Sequence, residues 1–291
     1  MKKKINLILL TAFLGFFVLA SWAQRRSAVP VEFKKISERL YEIAGGSGAN
    51  GGFYIGDAGV LVIDAKQNQD SVDQVIAGIK KITDKPIKYL VNTHSDGDHI
   101  TGNQFFPESV TIIAHENCRK EFFVSRTPGA QSEWTKPQLA PFVPALTFRD
   151  KMDIHLGAQT VELHYFGVGH TTGDLVLYFP QEKTAFLGDQ VFVGRVPLIH
   201  SYKGGNSHQQ VNTLSKMLET LDAQKFCSGH SDVIDRAGVK NHINLMKQRQ
   251  TKVKTLIDAG KNLEEIKKEF TPAEARLVES IFNELKSLPG K

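Results

Sequence analysis

Cysteine is scarce in this chain, which has only Cys118 and Cys227 among its 291 residues. So sparse a pair cannot form the disulfide framework that supports many small secreted domains. We expect two buried thiols that pack as small hydrophobic side chains, with a single bond between them as the alternative. No cysteine directly follows the N-terminal apolar segment either, which argues against a lipoprotein.

Long blocks of basic residues are also missing. The formal net charge is +5, and Lys2, Lys3 and Lys4 contribute three of those charges, so that the rest of the chain carries +2. A basic patch or stripe is the usual footprint of a protein that binds nucleic acid. The charge pattern therefore predicts no nucleic-acid partner and leaves a small molecule as the expected one. The oligomeric state stays open.

The apolar run Ile5–Ala20 is shorter than the roughly 20 residues that a membrane-spanning helix prefers. It follows three lysines and precedes Ser21-Trp22-Ala23, which is the order of charged, apolar and small residues in a secretory signal. We predict a signal peptide at residues 1–23, export to the periplasm or the medium, and no stable membrane anchor after cleavage. An uncleaved anchor is the alternative. Residues 24–291 are enough for one domain with a large core.

Periodicity along the first half predicts strands followed by a helix. Residues 31–65 alternate β-type residues with Gly, Asn and Asp, which is typical of an antiparallel meander. A helix is predicted at 69–83, because apolar residues recur there at spacings of three and four. Further strands are predicted at 87–93 and 111–116. The proline-rich stretch 126–146 is predicted to be a long structured loop, a type that often flanks a site.

The second half has a similar outline. Strands are predicted in KMDIHL, QTVELHYFG, DLVLYFP, KTAFLGD and KFCSGH, with a helix at about 207–221 before the last of them. A helical tail is predicted from about residue 236. Asn262 with Glu265, and Thr271 with Glu274, are spaced as capping boxes that begin helices.

Residues that can bind a metal fall at the C-terminal ends of four predicted strands. His94-Ser95-Asp96-Gly97-Asp98-His99 packs four such side chains into six residues, and His170, Asp189 and His230 each follow another strand. Imidazole nitrogen and carboxylate oxygen are what zinc and similar divalent ions bind. A solvated Asp/Gly turn is the alternative for the first cluster alone. Four loops at strand ends instead predict one shared pocket.

These segments resemble the metal-binding motifs of the metallo-β-lactamase superfamily. The resemblance lies in THSDGDH from Thr93, GHTTGD from Gly169, LGD from Leu187 and GHSD from Gly229, which recur in the family's order. GVLVIDA and NTHSDGDHITGN are similar to its exported metallohydrolases. The resemblance covers about 31–238. It implies an α/β fold of four layers, an αββα sandwich with the metal site at one edge of the two sheets.

The resemblance also implies roles for individual residues. His94, Asp96 and His170 are expected to hold a first metal, and Asp98, His99 and His230 a second, with Asp189 bridging the two. Two zinc ions are expected. The family pattern has histidine where Asp96 stands, however, and a carboxylate is harder and adds negative charge, so iron or manganese is the alternative metal.

A metal-dependent hydrolase is the function that this site implies. Hydroxide on the metal pair would attack an ester, thioester, lactone or lactam, and Asp98 would orient the nucleophile as the catalytic residue. The family's β-lactamases proper do not have aspartate at the position of Asp189, which makes an antibiotic substrate less favoured. An iron-dependent redox enzyme, a β-lactamase and a non-catalytic metal-binding protein remain alternatives.

Supporting residues are predicted from their places beside the ligands. Asp64, Thr171 and Asp174 could accept a hydrogen bond from the second ring nitrogen of a ligating histidine, or could make ordinary turn contacts. Aromatic and basic side chains on two loops could line a substrate cleft or pack the loops on themselves: Trp134, Phe142, Tyr202 and Lys203. Other histidines are expected at the surface, namely His200, His208 and His242.

Overall fold

The computed structural model describes residues 29–287, so the predicted signal peptide lies outside the described residues. The strands there are β1 (Val31–Lys35), β2 (Leu40–Gly45), β3 (Gly51–Ile55), β4 (Val60–Ile63), β5 (Ile87–Val91), β6 (Thr111–His115), β7 (Leu146–Phe148), β8 (Lys151–His155), β9 (Thr160–His164), β10 (Val176–Phe179), β11 (Thr184–Phe186), β12 (Lys225–Ser228) and β13 (Ser231–Ile234). The α-helices are α1 (Gln69–Ile82), α2 (Gly97–Ile100), α3 (Glu116–Glu121), α4 (Ser207–Thr220), α5 (Arg236–Asp258), α6 (Leu263–Lys267) and α7 (Ala275–Ser287). Short 3-10 turns occur at Thr101–Phe105, Glu133–Thr135, Pro137–Phe142, Pro180–Glu182, Gly188–Gln190, Ser201–Lys203 and Pro272–Glu274.

The strands form two sheets. The first contains β1 to β7 in chain order, with β1 to β4 antiparallel as the sequence predicts and β4 to β7 parallel. The second has the order β13-β12-β11-β10-β9-β8, in which only β11 and β12 are parallel. Helix α1 makes the crossover between β4 and β5, as a parallel connection requires.

Apolar side chains of both sheets meet face to face. Leu61 and Val91 of the first sheet share a buried cluster with Leu163 and Leu177 of the second. Helix α1 covers the outer face of the first sheet, and α4, α5 and α7 cover that of the second. The layers are therefore helix, sheet, sheet, helix, which confirms the predicted αββα sandwich.

Helix α1 follows its predicted apolar stripe. Val72, Val75 and Ile79 are buried against the first sheet, and the side chain of Asn68 caps the N-terminus by accepting from Ser71 N. Ile82, the last residue of the helix, is 40% exposed.

The C-terminal helices begin where the sequence predicts. Helix α5 starts at Arg236 with Asp235 as its cap, and both predicted capping boxes form. Strand β13 is absent from the prediction, because its sequence Ser-Asp-Val-Ile does not alternate polar and apolar residues. Within residues 29–287, no helix has the length and apolar character that crossing a membrane requires.

The proline-rich loop is packed rather than open. Trp134 is 6% exposed and its ring lies 4.8 Å from that of Phe122, with Phe142 packed against the same cluster. Trp134 and Phe142 thus pack against residues outside the loop, Phe122 among them. Cys118 and Cys227 are free thiols, both buried, as expected.

Candidate metal centre

Loops from both sheets meet at one end of the sandwich. The segment 94–99 follows β5 of the first sheet, whereas the second sheet supplies His170 after β9, Asp189 after β11 and His230 after β12. All seven predicted ligands lie in two groups, within each of which the ligand atoms are no more than 4.8 Å apart: His94, Asp96, His170 and Asp189 in one, and Asp98, His99 and His230 in the other.

The first group surrounds one oxygen of Asp96. Asp96 Oδ2 lies 2.9 Å from His170 Nε2 and 3.6 Å from His94 Nε2. His94 Nε2 is also 4.0 Å from Asp189 Oδ2. His94 and His170 are fully buried, so their ring nitrogens are shielded from water.

Asp189 joins the two groups. Its Oδ1 lies 3.2 Å from His99 Nε2, and its Oδ2 lies 3.1 Å from His230 Nε2. Asp98 Oδ2 completes the second group at 3.1 Å from His230 Nε2 and 3.9 Å from His99 Nε2. The buried carboxylate of Asp189 therefore has one oxygen near each of two histidines and a third histidine, His94, close by.

Hydrogen bonds on Nδ1 turn the buried histidines so that Nε2 faces the pocket. His99 Nδ1 bonds to Asp64 Oδ2 at 2.8 Å, and His170 Nδ1 bonds to the carbonyl oxygen of Leu198 at 2.6 Å. Asp64 therefore contacts the second ring nitrogen of His99. Such partners fix the ring orientation of metal-binding histidines.

Thr171 and Asp174 do not contact a ring nitrogen of His170. Asp174 accepts from Thr171 N at 3.0 Å and from Thr171 Oγ1 at 2.7 Å, which is the alternative of ordinary turn chemistry. These two residues hold the turn that carries His170. The sequence missed the Leu198 carbonyl because a backbone acceptor leaves no side-chain signal.

The residues present fit divalent cations. His94 Nε2, His99 Nε2 and Asp189 Oδ1 are buried and make no hydrogen bond of acceptable geometry. Leaving a buried polar atom unpaired costs about 1 to 3 kcal/mol. Three such atoms converging on one pocket, all of types that bind zinc, are explained by metal coordination.

The pKa shifts follow from the same crowding. Burial by itself would lower the pKa of His170, but the hydrogen bond and charge of Asp96 raise it to about 9. Hydrogen bonds to Asp189 and Asp98 also raise the pKa of His230 to about 9. Burial would raise the pKa of Asp189, yet His99 and His230 hold it well below its usual range. Neighbouring opposite charges therefore favour the ionised forms of His170, His230 and Asp189.

Two residues outside the predicted ligand set contact Asp96. His200 Nε2 lies 2.8 Å from Asp96 Oδ2, and Lys203 Nζ lies 2.7 Å from Asp96 Oδ1. The prediction of a surface position for His200 is wrong, because its side chain is only 14% exposed. The same prediction is wrong for His242, which is buried. Burial lowers the pKa of His200, against the charge of Asp96.

Lys203 cannot act as a freely exposed cleft residue. Its side chain is 5% exposed, and its ammonium group donates to Asp96 Oδ1, Ser95 O and Ser95 Oγ. All three N–H bonds are therefore used within the protein. Tyr202 is 41% exposed, with its ring edge against His200, and remains a candidate for substrate contact.

The fold and this donor set define a class of protein in which two adjacent groups of metal-binding side chains lie at the edge of a β-sandwich. The family model described as "Metallo-beta-lactamase superfamily" matches residues 44–230. The chain therefore belongs to the metallo-beta-lactamase superfamily and is a metallohydrolase of that fold.

The fraction of each relative's length that this chain matches differs between relatives. It is 24% identical to the metallo-beta-lactamase type 2 of Elizabethkingia meningoseptica, over 87% of this chain and 99% of the relative. It is 28% identical to the 2,4-dinitroanisole O-demethylase subunit alpha of Nocardioides sp. (strain JS1661), over 48% of this chain but only 40% of that subunit. The solved metallo-beta-lactamase from Pontibacter korlensis, 19% identical, superposes with a TM-score of 0.63 over 75% of this chain and 99% of its own, which shows the shared fold.

Proposed function

We propose that this chain is a hydrolase that uses two zinc ions to cleave a small acyl substrate, namely an ester, thioester, lactone or lactam. The observation that supports it is the position of Asp189, whose two oxygens face histidines of both ligand groups. In the proposed assignment, two sets of three residues would hold one cation each, with Asp189 as a ligand shared by both: His94, Asp96 and His170 would form the first site, and Asp98, His99 and His230 the second.

A divalent cation would supply the chemistry of lowering the pKa of a water ligand toward about 7, so that the water loses a proton near neutral pH. The residues of the chain orient the reactants. Asp98 is the most exposed of the carboxylates, at 30%, whereas Asp189 is 5% exposed. We assign Asp98 to accept a hydrogen bond from the attacking water, because its position at the pocket mouth lets it reach both the water and the solvent.

The substrate is proposed to enter beside Asp98 and His230. His230 is 22% exposed, whereas His94, His99 and His170 are fully buried, so the pocket opens on this side. Phe192 stacks on the His230 ring at 6.0 Å and provides an apolar wall. Tyr202 borders a second cleft of about 230 Å³ next to His200. The lactam option remains because the relative from Elizabethkingia carries that name.

Elemental analysis combined with a substrate panel tests this proposal. We expect about two zinc ions per chain, and turnover of at least one of the four substrate groups that chelator abolishes and zinc restores. The variant Asp98→Asn should lose turnover by 10²-fold or more, within the usual range for a positioned acid or base. The exposed Asp73→Asn on α1 is the matched control. Turnover that persists in chelator, or no metal, would reject the proposal.

Stoichiometric iron would favour the redox alternative, since Asp96 offers an oxygen where the family pattern has an imidazole nitrogen. The metal analysis therefore separates hydrolysis from oxidation before any substrate is known. Metal binding without turnover of any substrate would favour the non-catalytic alternative.

Export and a single mature domain at 24–291 are part of the same proposal. The apolar run and Ser21-Trp22-Ala23 support cleavage after residue 23. Intact mass of protein recovered from the exported fraction should correspond to a chain that begins at Gln24. A full-length mass there would show instead that the segment is retained.

A further inference from the structure

The carboxylate of Asp96 leaves the first site one imidazole short of the family pattern. A third imidazole is nevertheless present: His200 Nε2 lies 2.8 Å from Asp96 Oδ2, and the His200 ring lies 4.6 Å from that of His170. Asp96 Oδ2 therefore has three imidazole nitrogens near it, from His94, His170 and His200.

The backbone fixes His200 in this place. His200 N donates to His170 O at 2.9 Å, so the two histidines are tied together by the main chain. Gly205 N and Lys203 N both donate to His200 O, which closes a tight turn at the end of the loop. A side chain at position 205 would meet His170 O at 2.1 Å, so glycine is required for this close approach.

Lys203 accounts for the added charge of Asp96. Its ammonium contacts Asp96 Oδ1 at 2.7 Å and leaves Oδ2 facing the histidines. Ser95 Oγ, which accepts from Lys203, donates in turn to Glu121 Oε2 at 2.6 Å. The negative Asp96 and the positive Lys203 together carry no net charge, which equals the charge of the single neutral histidine that they replace.

We propose that His200 is an additional protein ligand of the first metal site, beside His94, Asp96, His170 and Asp189, and supplies the imidazole that the family pattern places at position 96, while Asp96 contributes Oδ2 alone and Lys203 balances its charge. This inference rests on the proposed function. It would make the first site a three-histidine site.

Zinc binding by His200→Ala and His200→Gln tests the inference without using activity. The glutamine amide can still donate a hydrogen bond to Asp96 but is a poor zinc ligand. In a His230→Ala background, which leaves the first site as the complete one, both substitutions should weaken zinc binding at least tenfold in competition with a chromophoric chelator. His155→Ala, at an exposed histidine on β8, is the matched control and should change nothing.

Three outcomes are decisive. Loss of affinity in both variants, with thermal unfolding of the metal-free proteins unchanged, supports a ligand role. Retained affinity in His200→Gln shows that His200 is only a hydrogen-bond donor to Asp96, and retained affinity in His200→Ala shows no role; either overturns the inference. Absence of zinc from the unaltered protein would reject the proposed function itself, which keeps the two failures distinct.

Discussion

Asp64 accepts three hydrogen bonds, from Thr93 N, Thr93 Oγ1 and His99 Nδ1, each 2.8 Å long. Its backbone is left-handed, with φ of 57°, which asparagine and aspartate tolerate better than most residues. Asp64→Asn therefore preserves the backbone and removes only the charge and one acceptor. We expect zinc affinity at the second site to fall about 10- to 100-fold. Chelator competition measures it, with exposed Asp84→Asn as the control; equal affinities would contradict the role of Asp64.

Gly229 leaves room for two ligands. A Cβ at this position would lie 2.2 Å from Asp189 Oδ1 and 2.7 Å from His99 Cε1. Gly229→Ala should displace one of these ligands and reduce bound metal below two ions per chain. Gly97→Ala lies within the ligand motif itself but meets only Thr101 Oγ1 at 3.4 Å, so it should bind metal normally. Elemental analysis of both variants after dialysis decides the point, and full metal content in Gly229→Ala would disprove it.

The sequence predicted that all seven proposed ligands converge. It did not predict that His200 and Lys203 contact Asp96. The ligands follow regular strands, so the end of each strand indicates the edge at which they meet. His200 and Lys203 lie in the loop that follows Asp189, where no period defines the path of the chain. Charge offered the one available signal, because a buried carboxylate at position 96 requires a nearby cation.

At the scale of elements, the C-terminal helix α7 packs as part of the main core. Leu277, Val278 and Ile281 are fully buried with residues of α4 and α5, and Glu284 accepts from Ser207 N at the start of α4. Residues of α7 thus connect to the same layer that covers the second sheet. We propose that the helical tail and the β-sandwich unfold as one unit.

Ile281→Ala tests this proposal. Removing a buried isoleucine side chain costs about 2 to 5 kcal/mol of unfolding free energy. The exposed Arg276→Ala on the same helix should change stability by about 0.5 kcal/mol or less. Urea unfolding followed by both far-ultraviolet circular dichroism and tryptophan fluorescence should give one coincident transition. Two separate transitions would show that the tail is a domain of its own.

Strand and helix positions were predictable wherever the period extended over five or more residues, as in α1 and β9. Strand β13 was not, since Ser231–Ile234 is short and two of its four residues are exposed. The sequence also did not decide whether the proline-rich loop is packed. Proline fixes the backbone but does not indicate whether Trp134 faces solvent or core.

At the scale of the whole molecule, the proposed sites join the two sheets. The segment 94–99 belongs to the first sheet, and His170, Asp189 and His230 belong to the second. Asp189 meets His99 across this boundary at 3.2 Å. A cation bound there would connect the two halves of the sandwich, which explains why its ligands are spread over more than a hundred residues.

Global stability is expected to depend on pH through His242, which is buried on α5 with Nδ1 3.3 Å from Phe192 O. Burial first, and then the charge of Arg249, lower its pKa from 6.5 to about 4. Because the folded protein binds this proton less readily than the unfolded chain, the stabilisation is complete above pH 6.5 and is lost as the pH falls toward about 4. A shift of this size corresponds to roughly 3 kcal/mol.

His242→Asn keeps an N–H donor near Phe192 O but does not titrate, so its unfolding free energy should fall less steeply with acid. We expect the metal-free wild type to lose about 3 kcal/mol more than the variant between pH 7 and pH 4, measured by urea unfolding. His155→Asn, on exposed β8, should follow the wild-type profile. Parallel profiles for the wild type and His242→Asn would mean that His242 is solvated or paired in the folded protein, because only an uncharged, buried imidazole gives this difference.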